Sequence, residues 1–191
     1  MIILDAESLR KSKITFAFIF VNIFCFIGFN MLLPDDIFFN LVQINFNVVE
    51  NLEIWRLFSA IFLHADVMHL FSNMVALFFF GVAVENNYSK LEYIFIFFIS
   101  GLTGNIFSLI LLPLFSISLG ASGAIFGLMG AIFVKFATED RSLLFIGFLY
   151  IAYFVITSFA PGINLWAHIF GLAAGLLFGY LFNRRPYKKK G

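Results

Sequence analysis

Four polar side chains stand out in stretches of this sequence that are predominantly apolar: His69, Asn73, Ser122 and His168. A serine hydroxyl and an imidazole are the nucleophile and base that acyl transfer requires, and the third requirement is a set of donors aimed at the developing oxyanion. The backbone N–H of Ser122, at a helix start where amides lack intrahelical partners, supplies one donor with the helix dipole in support. His69 and Asn73, four residues apart and so on one helix face, are placed to supply the others. Taken separately each group has a plainer reading. The His69 and Asn73 pair fits interhelical hydrogen bonding, and Gly120-Ala121-Ser122-Gly123 fits small-residue helix packing.

Other chemistries fit less well. Position 124 is alanine, so Ser122 does not sit in the Gly-x-Ser-x-Gly elbow of soluble hydrolases. A zinc site lacks its pattern, because there is no His-Glu-x-x-His, no intramembrane carboxylate, and His64 precedes His69 by five residues rather than a helical ligand spacing. We therefore expect neither metal nor cofactor. No Asp or Glu falls near Ser122 and His168 along the proposed spans, which leaves a Ser-His dyad with its imidazole oriented by packing. Phe126, one turn after Ser122, is placed to stack on His168. Asp66, the last residue before a helix, reads as its cap, Glu85 as a loop anchor, and His64 as structural. A formal charge of +1, with basic residues gathered at the two ends, argues against a nucleic-acid partner. Cys25 is the single cysteine, so no intramolecular disulfide forms.

The elements that must position these groups are membrane spans. Hydrophobic residues make up 62% of the chain and charged ones 12%, about half the charge of a soluble domain. Six apolar stretches qualify: Ile14 to Leu33, Val67 to Val84, Leu91 to Leu112, Ala121 to Phe136, Ser142 to Phe159, and Trp166 to Phe182. The expected fold class is an all-α membrane protein, a six-transmembrane-helix bundle forming one domain over residues 1–191, with the lipid bilayer as its solvent. If both termini are cytoplasmic, eleven of the twelve Lys and Arg residues are too, and only Arg56 is outside. The tail from Arg184 to Lys190 then anchors the last helix against anionic headgroups. The segment from Pro34 to Asp66 is the one long connection, and its Leu52, Ile54, Trp55, Leu57, Phe58 and Phe62 point to a part lying in the interface.

The fourth and sixth spans carry matching seams of small residues, Gly123, Gly127 and Ala131 on one and Gly171, Gly175 and Gly179 on the other. Such seams let two backbones approach closely and are expected to form the bundle centre. Ser122 and His168 both crown the outer end of that contact. Spans two, four and six share a direction, so all four polar groups lie at similar depth and become one site.

These residues resemble the rhomboid intramembrane serine proteases over most of the chain. Trp55-Arg56, His64 with His69-x-x-x-Asn73, Gly120-Ala121-Ser122-Gly123, and Ala167-His168 with Gly171 and Gly175 are similar to that family's signatures, in its order. The resemblance implies a six-helix core, Ser122 as nucleophile, His168 as general base, His69 and Asn73 at the oxyanion hole, and a wet cavity opening outward. It implies a substrate that is itself a transmembrane helix of another protein. It also implies that the fifth helix and the loop Ala160 to Leu165 act as substrate gate and cap. The family's aromatic after the nucleophile is often tyrosine; here Phe126 keeps the stacking and loses a hydroxyl. A prokaryotic plasma membrane is the expected location. The competing class is a rhomboid-like binder of transmembrane helices without catalysis, and a channel is disfavoured because the inner helix halves offer no polar path.

Overall fold

The computed structural model describes residues 5–184; Arg185, Lys188, Lys189 and Lys190 of the basic tail lie outside that range. A short helix α1 (Ala6–Lys11), capped by Asp5, leads into α2 (Lys13–Ile27), which continues as a π-helical turn over Gly28–Leu32. The outer connection folds into α3 (Asp35–Leu41), α4 (Asn45–Glu50) and α5 (Arg56–Ser59) with a 3-10 turn at Ala60–Phe62. Then come α6 (Val67–Asn87), α7 (Lys90–Leu111), α8 (Ser122–Glu139), α9 (Leu143–Thr157) and α10 (Leu165–Asn183). The result is an all-α bundle of mostly apolar helices.

Among the described residues five helices are long and apolar enough to cross a membrane. The fifth expected span is shorter than its apolar stretch. Helix α9 has 15 residues, about 22 Å at 1.5 Å per residue against a hydrocarbon core of about 30 Å. It stops where Ser158 turns back, its N–H donating to Val155 and its hydroxyl to the Phe154 carbonyl. None of its side chains is buried, so it lies at the edge of the bundle.

The centre belongs to α8, in which every residue from Gly123 to Ile132 is buried. Helix α10 is less central than expected. It buries the face bearing Ala167, His168, Gly171, Gly175 and Gly179 while Leu177, Tyr180 and Leu181 remain exposed. The seam between the two helices is close. A β-carbon at Gly171 would collide with the Gly123 carbonyl, one at Gly175 with the Gly127 carbonyl, and one at Gly179 would come within 2.6 Å of the Ala131 Cα. Beside this seam, Gly104 of α7 approaches the Ala167 carbonyl, where a β-carbon would sit 2.6 Å from the oxygen.

Polar residues stitch the outer connection to the bundle. Strands β1 (Gln43–Ile44) and β2 (Ile117–Ser118) pair antiparallel, Gln43 opposite Ser118. Asn105 Nδ2 donates to the Leu57 carbonyl at 2.7 Å, and Gln43 Nε2 to that of Asn105 at 3.0 Å. Leu52, Ile54, Trp55 and Phe58 are exposed, in keeping with an interfacial segment. At the opposite end Glu85 does more than anchor a loop. Its carboxylate accepts from the Ile14 and Thr15 amides at 2.9 and 2.8 Å and from Thr15 Oγ1 at 2.8 Å. It thus caps the first turn of α2 from a neighbouring helix.

Candidate active site

Ser122 is the first residue of α8, preceded by a sharp turn at Gly120 with φ +122°. That backbone conformation strains any L side chain, and a β-carbon there would also lie 2.8 Å from His69 Nε2. The Gly120 amide donates to the Ala60 carbonyl at 2.8 Å, which pins the turn to the outer connection. Glycine at 120 therefore does two things: it bends the chain into α8, and it leaves room for the α6 side chains beside the Ser122 turn.

Those side chains are His69 and Asn73. Asp66 starts α6 by accepting from the His69 amide at 2.8 Å, the cap expected of it. Asn73, one turn later, is buried, and its Nδ2 has no hydrogen-bond partner among the described residues. A buried amide donor without a partner costs roughly 1–3 kcal/mol. It sits 3.6 Å from where a Gly120 β-carbon would be, hence beside the backbone that delivers Ser122. His64 packs edge-on against the His69 ring with centroids 5.0 Å apart.

His168 enters from the first turn of α10. Its ring stacks on Phe126 with centroids 4.2 Å apart and planes 11° from parallel. Phe126 lies four residues after Ser122, so the imidazole is held over the helix face that carries the serine. The seam makes this possible, since only glycines at 123 and 171 let the two backbones approach closely enough. Ser122, His168, His69 and Asn73 all line one cavity of about 700 Å³, shared with Phe126, Ser158 and Asn164. Ser122 Oγ and His168 are not hydrogen-bonded to each other. Among the described residues, the His168 side chain is hydrogen-bonded through Nδ1 with Ser158 Oγ at 2.7 Å.

Two contributors escaped sequence reasoning. Ser158, just past α9, replaces packing alone as the orienter of the imidazole. Asn164 caps α10 by accepting from the Ala167 amide at 3.1 Å, while its Nδ2 donates to Ser108 Oγ and Ser118 Oγ at 2.8 and 2.9 Å. One amide thus ties α7, β2 and the start of α10 together. A lone asparagine after Pro161-Gly162 reads only as a helix cap, and nothing in its spacing points to the other two partners. Trp55 and Arg56 do not line the cavity. Arg56 is buried, pairs with Glu53 and donates to the Phe39 and Val42 carbonyls at 2.6 and 2.8 Å; Trp55 Nε1 donates to the Asn40 carbonyl at 3.3 Å. Their part is to shape the outer connection.

A helical bundle of apolar spans with a polar cavity let into its core defines an integral membrane protein. Comparison with known proteins places it more narrowly. The rhomboid domain family model matches residues 51–185. The "Putative rhomboid protease YdcA" of Bacillus subtilis (strain 168) is 39% identical over 140 residues, which are 70% of this chain and 69% of that protein. RHOMBOID-like protein 1 of Arabidopsis thaliana is 36% identical over 149 residues, 73% of this chain and 37% of its own length. "RHOMBOID-like protein 6, mitochondrial" from the same plant is 36% identical over 145 residues, with 47% of its length covered. The chain thus spans less than half the length of these plant relatives. It belongs to the rhomboid family.

Proposed function

We propose that the chain is an intramembrane serine endopeptidase that cleaves transmembrane segments of single-pass proteins near the outer leaflet through a Ser122–His168 dyad. The observation that carries this reading is the convergence, in one cavity, of a helix-start serine, an imidazole stacked over its helix, and a buried amide donor without a partner. Family membership supports it, as does the Bacillus relative's name.

In the mechanism, Ser122 Oγ attacks the scissile carbonyl carbon while His168 Nε2 takes its proton. The carbonyl oxygen becomes an oxyanion held by the Ser122 amide, Asn73 Nδ2 and His69 Nε2. His168 returns the proton to the leaving amine, which departs and leaves an acyl ester on Ser122. Water, deprotonated by His168, then attacks the ester; the bond to Ser122 Oγ breaks, that oxygen takes the proton from His168, and the acid is released. A peptide carbonyl tied into helical hydrogen bonds is not free to approach Ser122, so substrates are segments that unwind locally. The reading places both termini in the cytoplasm and the cavity mouth outside, as the Lys and Arg distribution favours. It puts the protein in a prokaryotic plasma membrane, for which fractionation of the host cell is the test.

Labelling of the folded protein by a fluorophosphonate tests the reading. Labelling should vanish in Ser122→Ala and His168→Ala, and purified protein should cut members of a panel of single-pass substrates at sites mapped by mass spectrometry. Label retained in Ser122→Ala removes the nucleophile assignment. The missing hydrogen bond between Ser122 and His168 favours one alternative, a non-catalytic binder of transmembrane helices. Such a protein would capture the panel intact and take no label.

A further inference from the structure

The imidazole of His168 is held by two constraints at right angles in their effect. Stacking on Phe126 sets the plane of the ring; the bond between Nδ1 and Ser158 Oγ sets its rotation within that plane. Both His168 and Ser158 are buried at the cavity wall.

The direction of that bond follows from the other contact the hydroxyl makes. Ser158 Oγ lies 2.7 Å from the carbonyl oxygen of Phe154. Two oxygens so close repel unless a proton lies between them, and a carbonyl has none to give. Serine carries a single hydroxyl proton, so that proton is committed to Phe154. Phe154 is the fourth residue from the end of α9, where carbonyls lack amide partners. Thr157 Oγ1 also donates to it at 2.8 Å, which the second lone pair accommodates. What Ser158 has left for the ring is a lone pair, and Nδ1 must therefore carry the hydrogen.

We propose that Ser158 is a positioning residue that fixes His168 as the Nδ1-protonated tautomer and leaves Nε2 as a free base turned away from α9. A neutral hydroxyl thereby does the orienting that a carboxylate does in a triad, without placing a charge inside the bundle. It keeps the same role after the ring gains a proton from Ser122, because both ring nitrogens of an imidazolium are donors and Ser158 still accepts. The consequence for rate rests on the proteolytic reading above; the tautomer itself does not.

The experiment pairs a spectrum with kinetics. Purified protein carrying 15N-labelled histidine, in detergent micelles at neutral pH, should show His168 Nδ1 as a protonated, pyrrole-type nitrogen and Nε2 as a pyridine-type one. Ser158→Ala should shift signal toward the opposite tautomer. With a cleavable single-pass substrate, Ser158→Ala should lower kcat roughly ten- to a hundredfold with little change in KM, the range known for partners that orient metal-bound histidines. Ser158→Thr, which keeps the hydroxyl, should recover most of that loss. A pyridine-type Nδ1 in the unsubstituted protein overturns the assignment, and so does an undiminished kcat in Ser158→Ala. If Ser158→Ala does not fold, the tautomer of the unsubstituted protein decides. If the unsubstituted protein cuts nothing, the proteolytic reading fails while the spectrum still upholds or overturns the role of Ser158.

Discussion

The Cα of Gly175 is pressed against the carbonyl of Gly127, so that a β-carbon at 175 would collide with that oxygen. The obstacle is backbone of the most buried helix and has no rotamer into which to retreat. Gly175→Ala must push α10 away from α8 and carry His168 with it. Overpacking of this kind costs roughly 1–3 kcal/mol, and the rigid obstacle argues for the upper part of that range. Thermal unfolding in detergent should register the loss, with fluorophosphonate labelling reduced alongside it. Gly28→Ala is the control, because nothing lies within 4 Å of a β-carbon there; its melting temperature should stay close to that of the unsubstituted protein.

Asn73 separates function from stability. Its Nδ2 is buried and unpaired, so Asn73→Ala removes a desolvated donor rather than a hydrogen bond, and the lost packing offsets the relief. The melting temperature should change little. Cleavage should fall roughly a hundred- to a thousandfold, the usual effect of deleting one oxyanion donor. Asn105→Ala makes the contrasting case. That side chain donates to the Leu57 carbonyl at 2.7 Å, and its loss should destabilise by about 1 kcal/mol or more. Equal destabilisation by the two substitutions would count against a free donor at Asn73.

What was legible in the sequence is what depends on periodicity. The spacing of Gly123 and Gly127 against Gly171 and Gly175 announces a close helix pair, because only one physical arrangement uses glycines a turn apart on two helices. Phe126 against His168 follows from the same spacing once that pair is accepted. Ser158, Asn164 and Glu85 were not legible in this way. Asn164 and Glu85 make their decisive contacts with residues distant in sequence, Ser108 and Thr15, Ser158 reaches His168 across the turn between two helices, and a single polar residue at a helix end has many partners open to it. The end of α9 falls two residues short of its apolar stretch, at Thr157, where the Ser158 amide donates to the Val155 carbonyl and the chain turns toward Pro161-Gly162.

Asn164 should behave as a keystone. Asn164→Ala deletes a helix cap and two donors at once, and capping alone is worth roughly 1 kcal/mol. Asn164→Asp keeps the oxygen that accepts from Ala167 and loses the donors to Ser108 and Ser118. Hydrogen exchange should therefore show faster opening at the start of α10 in the alanine variant than in the aspartate one. Both should loosen the segment around Ser118. If the two variants exchange alike at Ala167, the cap does not hold α10 in place.

His64 gives the protein a stability that depends on pH. It is buried outside the spans, and neither ring nitrogen has a hydrogen-bond partner among the described residues. Burial, with His69 alongside, drives its pKa from the ordinary 6.5 down to about 3. The unfolded chain takes up a proton as the pH falls through 6.5, whereas the folded one does not until about 3. Between those values the unfolded state binds more protons, so stability is complete above 6.5 and is lost progressively as the medium becomes more acidic. At pH 5 the penalty reaches about 2 kcal/mol at most. Melting curves of the unsubstituted protein and of His64→Gln in the same detergent, at pH 7.5 and pH 5, isolate this contribution from that of the other histidines. The glutamine variant should lose less stability over the interval, and parallel losses in the two proteins would show that His64 is not the group responsible.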